Sequence, residues 1–224
     1  LTLFAVYLLD FTIHQRNISR FLRNKFNRKI NIVFDIGAHK GDYSKLFKSI
    51  FPNCYIYGFE PNLNLSKYLN SFDKSYFRYI KKAVSDTNGK INMIIDNEIS
   101  LISSAASINY NSETFKMKEK LYKSSREKDG MNTKTIESIT LDAFIQKINE
   151  TPDFIKIDVE GLEHKVLKGL KDNINKIKLI MIEHHKDNLY LDTEVNQAHD
   201  FLIENNFKLM KQIKFTFMKW EDRI

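Results

Sequence analysis

Hydrophobic and polar positions follow two periods along most of this chain. Short apolar runs rich in Val, Ile and Phe alternate with stretches in which apolar residues recur every three or four positions. Runs of the first kind predict buried strands, and stretches of the second kind predict amphipathic helices. The predicted strands are residues 30–36, 54–60, 76–84, 90–95, 133–139, 152–159 and 177–184. The predicted helices are residues 42–50, 62–72, 140–148, 162–170 and 194–205, and residues 207–220 predict a closing hairpin.

The alternation of strands with helices predicts an α/β fold, in which a parallel sheet carries helices on both faces. Ligands of such sheets bind beyond the carboxyl ends of the strands, so the residues that follow each strand are candidates for a site. The segment 97–132 is polar and rich in Ser, Lys and Glu, which predicts an irregular loop. A loop of that length is typical of a mobile lid over a site.

Residues 1–28 predict an amphipathic helical extension that precedes one domain, residues 29–224. The first apolar stretch is too short to span a bilayer, and Asp10 interrupts it. It has neither the basic segment before it nor the small-residue cleavage site after it that a signal peptide requires. We expect the helix to pack on the domain or on a partner protomer, with peripheral membrane contact through residues 1–26 as the alternative.

The formal net charge of +7 permits an anionic partner, but the lysines are spread along the chain and interleaved with acids. This distribution indicates a solvated surface, so we expect no nucleic-acid partner. The 224 residues include a single cysteine, Cys54, inside an apolar run. It excludes an intramolecular disulfide and indicates a reducing compartment. We therefore expect a cytoplasmic protein, with any peripheral contact at the inner face of the membrane.

The turn from the first strand to the first helix, "FDIGAHKGDYS", is typical of a nucleotide-like cofactor site. A dinucleotide fingerprint, G-x-G-x-x-G, would need glycines where this chain has His39 and Asp42. His39 would obstruct a pyrophosphate, and Asp42 places negative charge where the helix N-terminus would meet phosphate. The residues that form the pattern here are Asp35, Gly37, Ala38 and Gly41. A carboxylate at the strand end suits an ammonium and a sulfonium group, so the turn favours S-adenosylmethionine over NAD.

The second predicted strand ends in "GFEPN", which contains Glu60 and Pro61. An acid that follows the glycine turn by about twenty residues lies where it can hold both ribose hydroxyls. Either motif alone is weak, since glycine turns recur in many α/β folds and strand-end acids often cap helices. At consecutive strand ends, the two motifs together predict an adenosine site.

Further motifs accompany these two: "AVSDTNG", "TLD", "FIKIDVEGLEHKVLKG" and "IEHH". With them, the chain resembles the FkbM family of S-adenosylmethionine-dependent methyltransferases over nearly its whole length after the N-terminal helix. The resemblance implies a Rossmann-like class I methyltransferase fold, with a mostly parallel seven-stranded sheet and a C-terminal antiparallel hairpin. It also implies O-methylation of a sugar hydroxyl in a glycan or glycan precursor. The basic charge would suit an acceptor that is anionic or nucleotide-linked.

The resemblance also implies a set of residues that bind the cofactor. Glu60 would hold the ribose, and the residues at 83–85 would meet the adenine, beside Lys82, where relatives commonly have a small polar residue. Ser104 lies in a Ser-rich stretch and is predicted to reach the substrate. The full cofactor set is Asp35, Gly37, Ala38, His39, Gly41, Glu60, Pro61, Ala83, Val84, Ser85 and Asp158.

The catalytic residues are predicted to follow the two strands that end in "KIDVEG" and "IEHH". A sugar hydroxyl must lose its proton during methyl transfer, and carboxylates and imidazoles can accept it. Asp158, Glu160 and His185 are the predicted catalytic residues, and Glu183 and His184 are predicted to contact the substrate.

Each of these residues also has a simpler interpretation. Asp158 could bind the ammonium group of the cofactor, Glu160 and Glu163 could cap the next helix, and His185 could be structural. A divalent metal such as magnesium on Asp158, Glu160 and His185 is a further alternative. Because the sequence lacks a dense acidic pair such as adjacent aspartates, we predict no metal ligands.

Three other functions compete with sugar O-methylation. An RNA 2′-O-methyltransferase would need a basic groove and would bind RNA in a salt-sensitive way. An inactive methyltransferase fold that serves as a binding protein is disfavoured, because it would have no reason to retain strand-end acids. An NAD-dependent sugar-modifying enzyme is disfavoured by the missing second glycine of the dinucleotide fingerprint.

Overall fold

The computed structural model describes residues 3–26, 30–96, 104, 106–122, 131–185, 187–191, 194–215 and 220–224. The helices are α1 (Leu3–Phe26), α2 (Asp42–Ile50), α3 (Ser66–Leu69), α4 (Glu113–Tyr122), α5 (Leu141–Ile148), α6 (Glu163–Lys168) and α7 (Gln197–Glu204). The strands are β1 (Ile32–Ile36), β2 (Tyr55–Phe59), β3 (Phe77–Ile80), β4 (Ala83–Val84), β5 (Gly89–Asp96), β6 (Met131–Ile139), β7 (Phe154–Ile157), β8 (Leu179–His185), β9 (Gln212–Lys214) and β10 (Trp220–Arg223).

Within these residues, seven strands form the main sheet in the order β3-β2-β1-β7-β8-β10-β9. The five strands from β3 to β8 are parallel, whereas β10 runs antiparallel to β8 and β9 antiparallel to β10. This arrangement confirms the predicted sheet and its closing antiparallel hairpin. The order changes direction at β1, so the carboxyl ends of β1, β2 and β7 border the crevice where α/β sheets bind ligands.

The two faces of the main sheet are buried in two separate cores. Val33 lies in one core with Phe47 of α2. Its neighbour Phe34 lies in the other, with its ring 5.5 Å from that of Phe144 of α5. Successive side chains of a strand point to opposite faces, so continuous apolar runs are needed to fill both cores. The predicted α/β layers with helices on both faces are therefore present.

A second sheet, of order β4-β6-β5, corrects the prediction for residues 76–84. That segment was predicted to be one strand, but the chain leaves the main sheet after Ile80 and forms β4 elsewhere. Lys81 and Lys82 interrupt the apolar run at this point. The predicted strands at 90–95 and 133–139 are present as an antiparallel pair outside the main sheet. The pattern of apolar residues identifies a strand, but it does not show which other strand pairs with it.

Several helix predictions are also corrected by the structure. The predicted helix at 62–72 is limited to a 3₁₀ turn, Leu63–Leu65, and the single turn of α3. Within the predicted irregular segment 97–132, residues Glu113–Tyr122 form α4, and β6 already begins at Met131. Residues 97–103, 105 and 123–130 of the predicted lid lie outside the described residues.

The N-terminal helix α1 packs on the domain through one of its faces. Ile18 and Leu22 are fully buried in the same core as α2. His14 stacks on Phe215 at 3.8 Å, and its Nε2 lies 2.6 Å from Oδ2 of Asp222. The predicted packing of this amphipathic helix on the domain is therefore observed. In the part of the chain described here, no helix is both long enough and apolar enough to cross a bilayer.

Candidate active site

A cavity opens at the carboxyl edge of the main sheet, where β1, β2 and β7 end. Its polar groups come from the turns that follow these strands and from Lys82, which follows β3, and apolar side chains of β5 close it from the second sheet. The lining residues are Ile36, Gly37, His39, Phe59, Glu60, Pro61, Lys82, Ala83, Val84, Ile91, Met93, Asp158, Val159, Glu160 and Leu162.

The turn after β1 is tied to the end of β2 by backbone hydrogen bonds. The N–H of Gly37 donates to the carbonyl of Phe59 at 3.0 Å, and the N–H of His39 donates to the carboxylate of Glu60 at 3.0 Å. Gly37 has a φ of 76°, and a Cβ there would lie 1.8 Å from the carbonyl oxygen of Asp158. Only glycine fits this position, because the backbone that follows β7 packs directly against the turn.

Glu60 is held rigidly at the rim of the cavity. Its second carboxylate oxygen accepts the N–H of Asn62 at 2.8 Å, so each oxygen has one backbone donor. A carboxylate oxygen accepts more than one hydrogen bond, so both oxygens can still accept from vicinal hydroxyls. Burial raises the pKa of Glu60 to about 7, although the N–H groups of Asn62 and His39 oppose the shift.

Lys156 of β7 joins two acids beneath the cavity. Its ammonium nitrogen lies 3.0 Å from Asp158 and 3.6 Å from Asp35, and it donates to the carbonyl of Gly37 at 3.1 Å. Burial alone lowers the pKa of Lys156, but the carboxylates of Asp158 and Asp35 raise it above its ordinary value. The lysine therefore stays charged and fixes Asp158 at the floor of the cavity.

The turn after β7 presents Glu160 in an uncommon backbone conformation. Glu160 has a φ of 54° and Gly161 a φ of 98°, and a non-glycine residue in this region costs about 1–3 kcal/mol. Ser104 donates to the carbonyl of Glu160 at 2.5 Å, and the hydroxyl of Tyr190 donates to its carboxylate. The carboxylate of Glu163 accepts the N–H groups of residues 159 and 161. These contacts hold the strained turn in one conformation.

Glu183 and His185 of β8 lie close to Glu160. The Nε2 atom of His185 lies 3.4 Å from Glu183 and 3.9 Å from Glu160. They line a second, smaller cavity that borders the first at the β7–α6 turn. His184 is buried and, because side chains alternate along a strand, points to the opposite face from its two neighbours. His184 also borders the smaller cavity, so its predicted contact with the substrate stays a prediction.

The structure brings eight of the predicted site residues to the cavity: Gly37, His39, Glu60, Pro61, Ala83, Val84, Asp158 and Glu160. It places the others elsewhere. Asp35 is fully buried and accepts from Ser44 at 2.5 Å, so it supports the turn rather than lining the cavity. Gly41 faces the ring of Phe72. Ala38, Ser85 and Ser104 are buried and are not among the residues that line the cavity.

Sequence reasoning missed four contributors to the site. Lys156 is not among the predicted site residues, although a lysine inside the buried run "FIKI" requires a charged partner. Ile91 and Met93 share one face of β5 through their spacing of two, but nothing in the sequence indicated that β5 would cover the cavity. Tyr190 carries no local signal, because its partner Glu160 is far away in sequence.

The fold and the cavity define a protein class. The main sheet is mostly parallel and has an antiparallel hairpin at its end, and an acid that follows β2 lines a cavity at the carboxyl edge. These are the features of class I S-adenosylmethionine-dependent methyltransferases. The sequence profile of the methyltransferase FkbM domain matches residues 35–209 of the chain. The chain therefore belongs to the FkbM methyltransferase family, and S-adenosylmethionine is its cofactor.

The comparison with solved structures gives matches of low sequence identity. A protein assigned as a caffeoyl-CoA O-methyltransferase from Staphylococcus aureus is 12% identical, with a TM-score of 0.50 over 94% of this chain and 81% of that one. Fibrillarin from Aeropyrum pernix, solved with bound S-adenosyl-L-methionine, is 10% identical, with a TM-score of 0.49 over 93% of this chain and 74% of its own. A search among curated proteins finds no match.

Ribose binding by Glu60 is expected to depend on pH. Two hydroxyl donors favour the charged carboxylate, and the pKa of Glu60 is about 7, so affinity should rise as the pH rises through 7. Between pH 6 and pH 8 the charged fraction, and with it the affinity, increases by about tenfold. Burial lowers the pKa of His39 to about 4, so His39 does not titrate in this range.

Adenosine is the ligand for this measurement, because it carries the ribose hydroxyls without the titrating amino acid portion. Calorimetric titrations at both pH values should show the increase in the wild type and in Glu163→Gln. Glu163 also has a pKa of about 7, but it lies outside the cofactor cavity. Glu60→Gln should bind adenosine equally at both pH values. An equal affinity in the wild type at pH 6 and pH 8 would contradict the assignment of Glu60.

Proposed function

We propose that this methyltransferase transfers the methyl group to a hydroxyl of a sugar, in a glycan or a glycan precursor. One observation carries the proposal: Glu60, Asp158 and Glu160 line the same cavity, so a cofactor held by Glu60 lies beside two further acids. With the ribose on Glu60, the methionine portion of the cofactor extends toward the two acids. The acceptor then enters beside groups that can take a proton from a hydroxyl.

The reaction is an in-line displacement at the methyl carbon. The acceptor oxygen forms a bond to that carbon while the bond from carbon to sulfur breaks, and the sulfonium becomes the neutral thioether of S-adenosylhomocysteine. The hydroxyl proton passes to the group formed by Asp158, Glu160 and His185. Tyr190 and Ser104 hold Glu160 in place, which aligns the acceptor and shortens the approach to the methyl group.

A basic groove beside the cofactor cavity supports an acceptor that is anionic or nucleotide-linked. The groove lies along the edge strand β3 and shares Lys82 with the cofactor cavity. Its volume is about 540 Å³. Its positive charges and the ring of Tyr79 suit a phosphate group and a planar base. The basic residues that line it, Arg78, Lys81, Lys82 and Lys147, outnumber its two acids, Glu137 and Glu150, although Glu137 pairs with Lys82 at 2.8 Å.

Methyl transfer from tritiated S-adenosylmethionine to a panel of acceptors tests the proposal. The panel contains neutral sugars, nucleotide sugars, anionic oligosaccharides and short RNA. We expect label in an alkali-stable ether on a sugar, with nucleotide-linked or anionic acceptors preferred. In Glu160→Gln, labelling should be lost while binding of S-adenosylhomocysteine is retained. Label in RNA alone would replace the proposal with RNA 2′-O-methylation. A folded chain that binds no S-adenosylmethionine would favour a binding protein.

A further inference from the structure

We propose that Glu160, Glu183 and His185 form a binding site for a divalent cation such as Mg²⁺ or Mn²⁺. The inference deepens the proposed function and rests on it, because the cation would lie where the acceptor hydroxyl enters. The ligand set differs from the alternative considered from the sequence, since Glu183 replaces Asp158. Asp158 is instead paired with Lys156.

The geometry of the three side chains fits one cation. One ligand atom from each residue lies within 4.8 Å of the other two. The Nε2 atom of His185 is 3.4 Å from Glu183 and 3.9 Å from Glu160. Octahedral ligands at about 2.1 Å from a metal lie about 3.0 Å apart when adjacent and about 4.2 Å apart when opposite. The two spacings from His185 fall in this range without any rearrangement of the strands.

Two separate elements deliver these ligands and hold them in position. Glu183 and His185 are two residues apart on β8, so both side chains point to the same face. Glu160 comes from the turn after β7, where its strained backbone is fixed by Ser104 and its carboxylate by Tyr190. A rigid support of this kind is what distinguishes a metal site from acids that meet by chance on a surface. His185 is 8% exposed.

The electrostatic potential at this position is negative. Two carboxylates, those of Glu160 and Glu183, lie close to the same ring nitrogen of His185. The positive charge of Lys156 is balanced by its ion pairs with Asp158 and Asp35. A set of two carboxylates and one imidazole binds divalent metals such as Mn²⁺, and waters complete the coordination of Mg²⁺.

A cation at this site would change which residue accepts the proton. A hydroxyl bound to a divalent cation has a lowered pKa, so a weakly basic carboxylate suffices to deprotonate it. Glu160 and His185 would act as ligands, and Asp158 would remain as the proton acceptor of the predicted catalytic set. The oxygen then attacks the methyl carbon as described above, and the cation keeps the acceptor in line.

Binding of Mn²⁺ to the full chain, without acceptor, tests this inference. Electron paramagnetic resonance of free Mn²⁺ should show one ion bound per chain. Pulsed measurements on the bound ion should show coupling to one imidazole nitrogen. Glu183→Gln and His185→Gln should each weaken binding by more than about tenfold, since even outer partners of a metal site contribute that much. Glu194→Gln is the matched control, because Glu194 lines the same small cavity without belonging to the ligand set.

The outcomes separate this site from the proposed function. Each sample is also titrated with S-adenosylhomocysteine, which reports the cofactor site independently. If the wild type binds S-adenosylhomocysteine but no Mn²⁺, or binds Mn²⁺ without nitrogen coupling, the cation site is overturned. Equal Mn²⁺ affinity in all three variants has the same consequence. If Mn²⁺ binds as expected and S-adenosylhomocysteine does not, the cation site is supported and the proposed function fails. The wild-type nitrogen coupling needs no variant, so an unfolded mutant cannot obscure the result.

Discussion

Replacing Glu60 with alanine should weaken binding of S-adenosylmethionine by about a hundredfold or more. Each hydrogen bond to a charged group contributes about 1.5–3 kcal/mol, and the ribose offers two hydroxyls to this carboxylate. Glu60 is 7% exposed, so solvent cannot replace the lost acceptor. The variant also removes the acceptor of the His39 and Asn62 N–H groups, which loosens the turn that faces the cofactor.

Calorimetric titration with S-adenosylmethionine, S-adenosylhomocysteine and NAD measures this effect. Glu60→Gln keeps the volume and one acceptor oxygen, so its loss should be smaller, about tenfold, because neutral hydrogen bonds are about half as strong. Glu150→Ala is the control, since Glu150 accepts from Tyr57 outside the cofactor cavity and should not change the affinity. Thermal unfolding of each variant shows whether it is folded. Undiminished binding in folded Glu60→Ala would contradict the cofactor pose.

Replacing Lys156 with methionine should destabilise the protein by about 3–5 kcal/mol. Removal of one partner from a buried ion pair leaves the other charge buried without compensation. Here the group left behind is Asp35, which is fully buried. Of its contacts with Ser44 and Lys156, Asp35 would keep only the hydrogen bond from Ser44. Asp158 would lose its anchor as well, so binding of the cofactor should weaken in the same variant.

Urea unfolding at neutral pH measures the loss for Lys156→Met. The double variant Lys156→Met with Asp35→Asn should recover part of it, because no buried charge remains unpaired. Lys178→Met is the matched control. Lys178 pairs with Asp153, but its side chain is 63% exposed, so this substitution should lower the free energy of unfolding by less than about 1 kcal/mol. A loss that is equal for the two lysines would refute a structural role for the buried pair.

The penalty in Lys156→Met should depend on pH in a defined direction. Burial raises the pKa of Asp35, and the charge of Lys156 opposes this rise. Without the lysine, the pKa of Asp35 should be higher still. A carboxyl whose pKa is higher in the folded than in the unfolded protein adds stability at low pH and loses it as the pH rises. The difference in unfolding free energy between wild type and variant should therefore be smaller at acidic than at neutral pH.

Local pattern and short spacing were sufficient to predict much of this protein. The strand ends at Gly37 and Glu60 could be located because each follows a continuous apolar run, and parallel strands bring such ends to one edge. The two-residue spacing of Glu183 and His185 likewise places both side chains on one face of a strand. The layers, the order of elements and the cofactor turn depend on these local properties.

Contacts between distant segments decided the rest. Three contacts join stretches that are separated along the chain: the ion pair of Lys156 with Asp35 of β1, the cover formed by Ile91 and Met93, and the approach of Glu160 to His185. A periodic pattern shows which face of an element is buried, but not which element buries it. The sequence by itself therefore determined the α/β layers and the cofactor turn. Only the tertiary structure decided that Asp35 is buried beneath the turn after β1, and that two carboxylates and an imidazole meet near the cavity at the carboxyl edge of the sheet.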